Sequence, residues 1–201
     1  MKKMVLLLVL SALLITGASA AFTDVPAKAW YAQAVDRVAA KGMMSGTSES
    51  TFSPTAPVTR GTVVTVLWRL AGTPKMPSGN LFPDISAGCW YAESANWARL
   101  LGIADGYSSG DFGGDDPVTR EQLALFLYRY TKYIGGELAQ GVLTGYRDSG
   151  KISPWALDGL KHAVGAGLIT GDTAGRLNPK GHAQRAELAM MLVRFLTPAA
   201  G

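Results

Sequence analysis

The 201-residue sequence has one cysteine and two histidines, and past its first twenty residues it has no uncharged apolar run long enough to cross a bilayer. Each scarcity excludes something. A lone Cys89 cannot form an intramolecular disulfide, and beside Trp90 it reads as a small, partly buried apolar residue. His162 and His182 are single histidines without ligand spacing, so neither a metal nor any other cofactor is expected. An excess of one charge is missing as well. Of 19 Lys and Arg against 15 Asp and Glu, Lys2 and Lys3 belong to the N-terminal segment, which leaves 17 against 15. No basic run is interleaved with aromatics, so a nucleic-acid partner is not expected. The acids do not converge either. Asp115 and Asp116 are neighbours in a loop, where carboxylates are solvated turn residues more often than an acid/base pair. The stretch Asp105 to Asp111 has a faint likeness to a calcium loop but lacks alternating oxygen ligands and a closing Glu. Without a nucleophile and base, paired acids or a metal set, the chain is not expected to be an enzyme.

The N-terminus is informative. Lys2 and Lys3 precede an apolar run from Met4 to Ile15, and Ala18-Ser19-Ala20 is a small-residue cleavage site, so residues 1–20 read as a secretory signal peptide cut after Ala20. The run is too short to be a membrane span. The rest, 21–201, is expected to be exported and to form one compact domain, since about 180 residues bury a core without staples.

That remainder repeats itself. Phe22-Thr23-Asp24 followed by Trp30-Tyr31 returns as Phe82-Pro83-Asp84 followed by Trp90-Tyr91, 60 residues on from Asp24 to Asp84. The offset holds through Gly42 and Gly102, Gly46 and Gly106, Phe52 and Phe112, Thr59-Arg60 and Thr119-Arg120, and Arg69 and Arg129. A third, more diverged copy starts at Tyr146-Arg147-Asp148, gains one residue before Trp155, and continues through Gly167, Gly171, Leu177-Asn178-Pro179, Arg185 and Arg194. The copies occupy 21–72, 81–132 and 145–197, and the Pro- and Gly-rich stretches between them read as linkers.

Within a copy the apolar spacing is helical. Tyr31, Ala34, Val35 and Val38 lie on one helix face, and Gly42, Gly102 and Gly167 stand where a left-handed residue ends the helix. Ser153-Pro154 is expected to cap the corresponding helix of the third copy. A second helix follows Thr59, with Val63, Val66, Leu67 and Leu70 matched by Leu123, Phe126, Leu127 and Tyr130 and by Leu188, Met191, Leu192 and Phe195. No such helix pair buries its apolar face alone. The expected fold is therefore mostly α, three helix-turn-helix repeats packed as a pseudo-threefold domain, with the second helices forming a central three-helix bundle.

The start of the second helix carries the chemistry. It reads Thr59-Arg60-Gly61-Thr62, Thr119-Arg120-Glu121-Gln122 and Gln184-Arg185-Ala186-Glu187, a full capping box in the middle copy and half of one in the others. Arginine in a first helical turn has the wrong sign for the helix dipole, by roughly 0.3 to 1 kcal/mol. Free amides and a guanidinium fork at one place suit an external carboxylate or phosphate. The alternative is that each arginine pairs with Asp24, Asp84 or Asp148. Trp30, Trp90 and Trp155 recur near the start of the first helix, where a core anchor is the commoner role and a sugar-stacking face the rarer one. Gly46, Gly106 and Gly171 permit a tight turn and a close ligand approach, although the turn alone explains them.

Together, Phe-x-Asp, Trp-Tyr, Gly-x-x-x-Gly, Phe-x-Pro and the Thr-Arg-Ala-Glu-like helix start resemble S-layer homology repeats, in the family's arrangement of three, from Phe22 to Leu196. The resemblance implies a three-pronged domain with inter-repeat grooves that hold a secondary cell-wall polymer attached to peptidoglycan, often through a pyruvylated sugar whose carboxylate meets the motif arginine. Arg60, Arg120 and Arg185 match that arginine, and Asp24, Asp84 and Asp148 match the Phe-x-Asp aspartate. Thr62, Gly114, Gln184 and Ala156 depart from the pattern, replacing an acid or amide, a proline, a threonine and a tyrosine.

The expected function is thus non-covalent anchoring at a bacterial cell wall by a secreted monomer, with no membrane span after signal cleavage. An exported helical-repeat adaptor for a protein partner is the alternative. On the anchoring view, Arg120→Ala is expected to weaken wall binding with little loss of helicity.

Overall fold

A computed structural model describes residues 22–197 apart from 77, 78 and 87. The expected signal peptide and its cleavage site lie outside the described residues. Among the described residues six α-helices run in chain order as α1 (Ala32–Ala40), α2 (Arg60–Leu70), α3 (Ala92–Leu100), α4 (Arg120–Tyr133), α5 (Leu157–Gly165) and α6 (Arg185–Leu196), with 3-10 turns at Ser149–Lys151 and Pro154–Ala156. Among the described residues there are only isolated β-bridges and no strands, so the fold is mostly α.

The helix ends obey local rules. Gly42, Gly102 and Gly167 take φ of +64°, +64° and +67°, and each is followed by the doubled turn of a Schellman cap: Gly42 N–H donates to Ala39 O and Met43 N–H to Val38 O. Thr119 and Gln122 form the full capping box; Thr59 accepts from Thr62 N–H, and in the third copy Glu187 accepts from Gln184 N–H. Ser153 does not cap as expected. Its hydroxyl and its amide both donate to Glu121 of α4 instead.

Each second helix packs mainly on the first helix of the next copy: α2 on α3, α4 on α5, and α6 back on α1. Of the second helices, α2 and α4 also approach each other. The expected stripes join one hydrophobic core, with Tyr31, Leu70 and Phe195 at its margin. Two residues before each second helix the copies meet in a closed ring, in which Val58 N–H donates to Ala183 O, Ala183 N–H to Val118 O and Val118 N–H to Val58 O, at 2.8 to 3.0 Å. All three residues are buried.

Two departures from the repeat pattern belong together. The Tyr91 ring lies across Gly61 and Gly114, where a Cβ would come within 2.7 and 2.2 Å of it. Proline, which the other copies carry at this position, has no room. Gly114→Ala is therefore expected to cost about 1 to 3 kcal/mol by overpacking, and Tyr91→Ala in the same chain to recover part of that, as urea midpoints will register. In the third copy Ala156 stands where the tyrosine would be, and the α4 face there carries buried Glu121, which accepts from Ser153 and from Lys180 Nζ at 2.6 Å.

His162 is buried where α5 meets α4 and the second linker. Ala139 N–H donates to its Nδ1, so its Nε2–H faces Thr131 Oγ1, whose own proton goes to Leu127 O. Burial lowers its pKa below the ordinary 6.5. The unfolded chain takes up a proton first on acidification, so this contribution to stability is complete above pH 6.5 and is lost as pH falls through the lowered folded value. Melting temperatures measured across that window should fall less steeply in His162→Gln than in the parent.

Candidate functional site

Every motif arginine crosses into the following copy, and the three crossings are equivalent. Arg60 donates from Nε to Phe112 O and from Nη2 to Asp105 O, both at 2.9 Å. Arg120 does the same to Leu177 O and Thr170 O, and Arg185 to Phe52 O and Ser45 O. Arg60 and Arg120 are buried, and Arg185 is half-buried over the Phe52 ring. Burial pulls the pKa of Arg60 and of Arg185 below the ordinary arginine value, with Tyr107 foremost among the groups opposing it for Arg60 and Asp24 for Arg185.

The helix starts are not open to an anion in the expected way. Arg60 N–H and Gly61 N–H donate to Asp116 O and Gly114 O, Arg120 N–H and Glu121 N–H to Gly181 O and Pro179 O, and Arg185 N–H and Ala186 N–H to Ala56 O and Pro54 O. The first two amides of each helix are thereby spent on the neighbouring copy. This accounts for an arginine at a positive helix end, because carbonyl oxygens of the adjacent loop solvate both charges.

The aspartates do not pair with the arginines. Asp24 accepts from Phe52 and Ser53 N–H, Asp84 from Phe112 and Gly113 N–H, and Asp148 from Leu177 and Asn178 N–H, at 2.7 to 2.9 Å. Residues 52, 112 and 177 are therefore clamped twice, their N–H by the aspartate of their own copy and their C=O by the arginine of another. Loss of solvent raises the Asp84 carboxyl, but the Phe112 and Gly113 amides and the Arg60 charge outweigh it and hold the group below the usual carboxylate range; Asp24 behaves likewise.

The tryptophans are not core anchors. Trp30, Trp90 and Trp155 are 61%, 62% and 52% exposed, Trp30 and Trp90 each set edge-on to the tyrosine that follows. Gly46, Gly106 and Gly171 are packed turns: a Cβ on Gly46 would meet Ser48 O at 2.4 Å, on Gly106 Asp111 O at 2.5 Å, and on Gly171 the Tyr146 ring at 2.6 Å.

Grooves open where three copies meet. One, of about 190 Å³, takes Met43 to Gly46 and Thr62, Thr65 and Arg69 from the first copy, Trp90 from the second and Arg185 from the third. Its counterpart takes Leu168 to Thr170, Glu187, Met190 and Arg194 from the third copy, Trp30 from the first and Arg120 from the second. That second groove continues into an open cleft of about 640 Å³ along Asp172, Arg176 and Asn178. Arg69 and Arg194 are groove residues that sequence reasoning left as mere repeat markers. Their recurrence nine positions after each motif arginine was the available signal.

These features define a repeat-built helical module whose clefts mix exposed indole with guanidinium. The chain belongs to the S-layer homology domain family, whose model matches residues 21–64, 81–124 and 145–189. It is 30% identical over 176 residues to an endoglucanase of Bacillus sp. (strain KSM-635), covering 87% of this chain and 18% of that one. It is 27% identical over 193 residues to the surface-layer 125 kDa protein of Lysinibacillus sphaericus (94% and 16%) and 25% identical over 186 residues to the S-layer protein of Bacillus thuringiensis subsp. finitimus (90% and 22%). The chain thus spans less than a quarter of each of these relatives. Family and relatives make it a secreted bacterial cell-surface protein.

Proposed function

We propose that this chain anchors non-covalently to the cell wall by laying an anionic secondary wall polymer, pyruvylated or otherwise acidic, into the grooves between its repeats. The observation that carries this is the groove of Trp90, Arg69 and Arg185, where three copies bring an exposed aromatic face and two cations around one cleft. A sugar ring stacks on the indole while an acidic substituent meets the guanidinium edge. Of the wider set, Arg120, Arg185, Gly46 and Gly171 line the grooves themselves, and Arg60, Asp24, Asp84, Asp148 and Gly106 belong to the frame that shapes them. Copies at 21–72, 81–132 and 145–197 act as one monomeric domain after signal cleavage following Ala20. The same module occurs in an endoglucanase and in surface-layer proteins, which favours a non-catalytic role shared by different carriers.

Sedimentation with purified cell-wall sacculi tests this. The protein should pellet with intact sacculi and stay in solution once acid has stripped the polymer. Pelleting that survives stripping points to a protein partner, and release of reducing sugar would point to catalysis; either result overturns the proposal.

A further inference from the structure

The two linkers between copies are tied down by different chemistry. The first is pinned to α3 by Asn96, whose side-chain amide donates to Gly79 O at 2.6 Å and accepts from Leu81 N–H at 3.1 Å. The second, residues 134–144, is pinned to α5. There Ala139 N–H donates to His162 Nδ1 at 3.2 Å and Gly141 N–H to Lys161 O at 2.8 Å; among the described residues these two hydrogen bonds tie 137–142 to the rest of the molecule. The backbones lie against each other, since a Cβ on Gly141 would come within 2.5 Å of Gly165 N. Apolar burial adds little, with Leu138 and Ala139 half-buried and Val142 74% exposed. A segment held by few hydrogen bonds and little burial opens at a small fraction of the global unfolding free energy.

The neighbours of His162 fix where its proton sits. Thr131 Oγ1 gives its own proton to Leu127 O, so Nε2 donates to that oxygen at 3.1 Å and Nδ1 is the acceptor. A proton on Nδ1 sets an N–H against the Ala139 N–H, two donors with no acceptor between them. Nothing around the ring compensates. From α4 come Thr131, the Tyr128 ring with its centroid 5.9 Å away and Lys132, whose Nζ lies over that ring; α5 brings half-buried Lys161 and exposed Asp158, and the linker exposed Glu137. Among the described residues the imidazole bonds to Thr131 and Ala139 and to neither carboxylate. In the register that matches Trp90 with Trp155, position 162 is Trp97 in the second copy and Arg37 in the first, so the repeat itself does not call for an imidazole.

We infer that His162 is an acid-sensitive latch: on protonation it releases Ala139, and the linker between the second and third copies lifts off α5 while the six helices stay packed. The lifted linker leaves the imidazole in water at its ordinary pKa of about 6.5, so the latch is closed above that pH; below it the opening constant rises toward tenfold per pH unit until the lowered value of the closed state is reached. An exported protein meets whatever pH its surroundings set. Acid surroundings therefore uncover 137–142 to proteases without dismantling the helical frame. The first linker, held by an amide that does not titrate, stays down.

Amide hydrogen exchange of the described chain by NMR between pH 7 and 4.5, with the His162 carbon signals followed alongside, tests this. Corrected for the intrinsic pH dependence of exchange, protection of Ala139 and Gly141 should fall about tenfold over that range, while Leu81 in the first linker and Leu127 in α4 keep theirs. His162→Gln retains an oxygen for Ala139 N–H and an N–H for Thr131 but does not titrate, so its Ala139 protection should be flat with pH. The latch is overturned if Ala139 is unprotected at pH 7, if Ala139 and Gly141 keep their protection at pH 4.5, if Leu81 and Leu127 lose theirs in the same proportion, or if His162→Gln responds to pH as the parent does. Should that variant not fold, the parent's imidazole decides: carbon signals that titrate at pH 6.5 or above overturn the latch by themselves.

Discussion

Arg60→Ala should lower the unfolding free energy by about 3 to 5 kcal/mol, a large share of what a domain of this size has. Its Nε and Nη2 bonds to Phe112 O and Asp105 O vanish; the Phe112 carbonyl, left without a partner in a buried place, costs about 1 to 3 kcal/mol, whereas that of exposed Asp105 turns to water. The guanidinium also lies within 5.3 Å of the Tyr107, Phe112 and Phe126 ring centroids, so truncation leaves a gap between aromatic faces. Arg60→Lys should recover little, because an ammonium cannot reach two carbonyls with the fixed geometry of the fork. Arg69→Ala is the control: it sits on the groove wall, exposed, with a single 3.3 Å bond to Met43 O, and should change stability by under about 0.5 kcal/mol. Urea unfolding distinguishes them, Arg60→Ala shifting the midpoint at an unchanged slope. The same logic replaces the expectation for Arg120→Ala. Buried and bonded to Leu177 O and Glu187, that arginine should lose stability as well as any binding, so wall affinity is better tested at Arg69 or Trp90.

How much of this was legible in the sequence depended on whether the cause was local. The helix stripes, the left-handed Gly42, Gly102 and Gly167, and the capping box at Thr119 depend on residues a few positions apart, and all appear where spacing placed them. The partners of Arg60, Arg120 and Arg185 lie at least 45 residues away in another copy, and no local pattern says which copy supplies them. An arginine at a helix start therefore pointed toward an external anion, while nothing local showed that the same side chain also donates to a neighbouring copy's loop. The tryptophans misled for a related reason. They precede the first helix and share no face with its apolar stripe, so periodicity carried no information about their exposure. Gly114 stood as an isolated departure from the pattern until its contact with the Tyr91 ring, which also lies on Gly61, gave it a cause.

Removing the third copy should abolish cooperative folding, although two intact copies remain in the shortened chain. Truncation after residue 144 takes away α6, on which α1 packs, and α5, on which α4 packs. It also opens the ring of Val58, Val118 and Ala183, leaving Val58 N–H without its acceptor and Val118 O without its donor. An open solenoid would lose one end and keep the rest, since each repeat there touches only its sequence neighbours. Here the last copy closes on the first, so the loss strips apolar area from two helices at once, exposing Ala34, Val35 and Val38 on α1. The fragment should bind ANS and melt without a sharp transition. A circular permutant discriminates between closure and mere chain length. With residue 197 joined to residue 22 by a flexible Gly/Ser linker of about 16 residues, spanning roughly 20 to 24 Å, and new termini placed in the 73–80 linker, every contact among the copies is kept. That permutant should melt cooperatively near the parent temperature, because what holds the fold together is the circuit of copies and not the order in which the chain visits them.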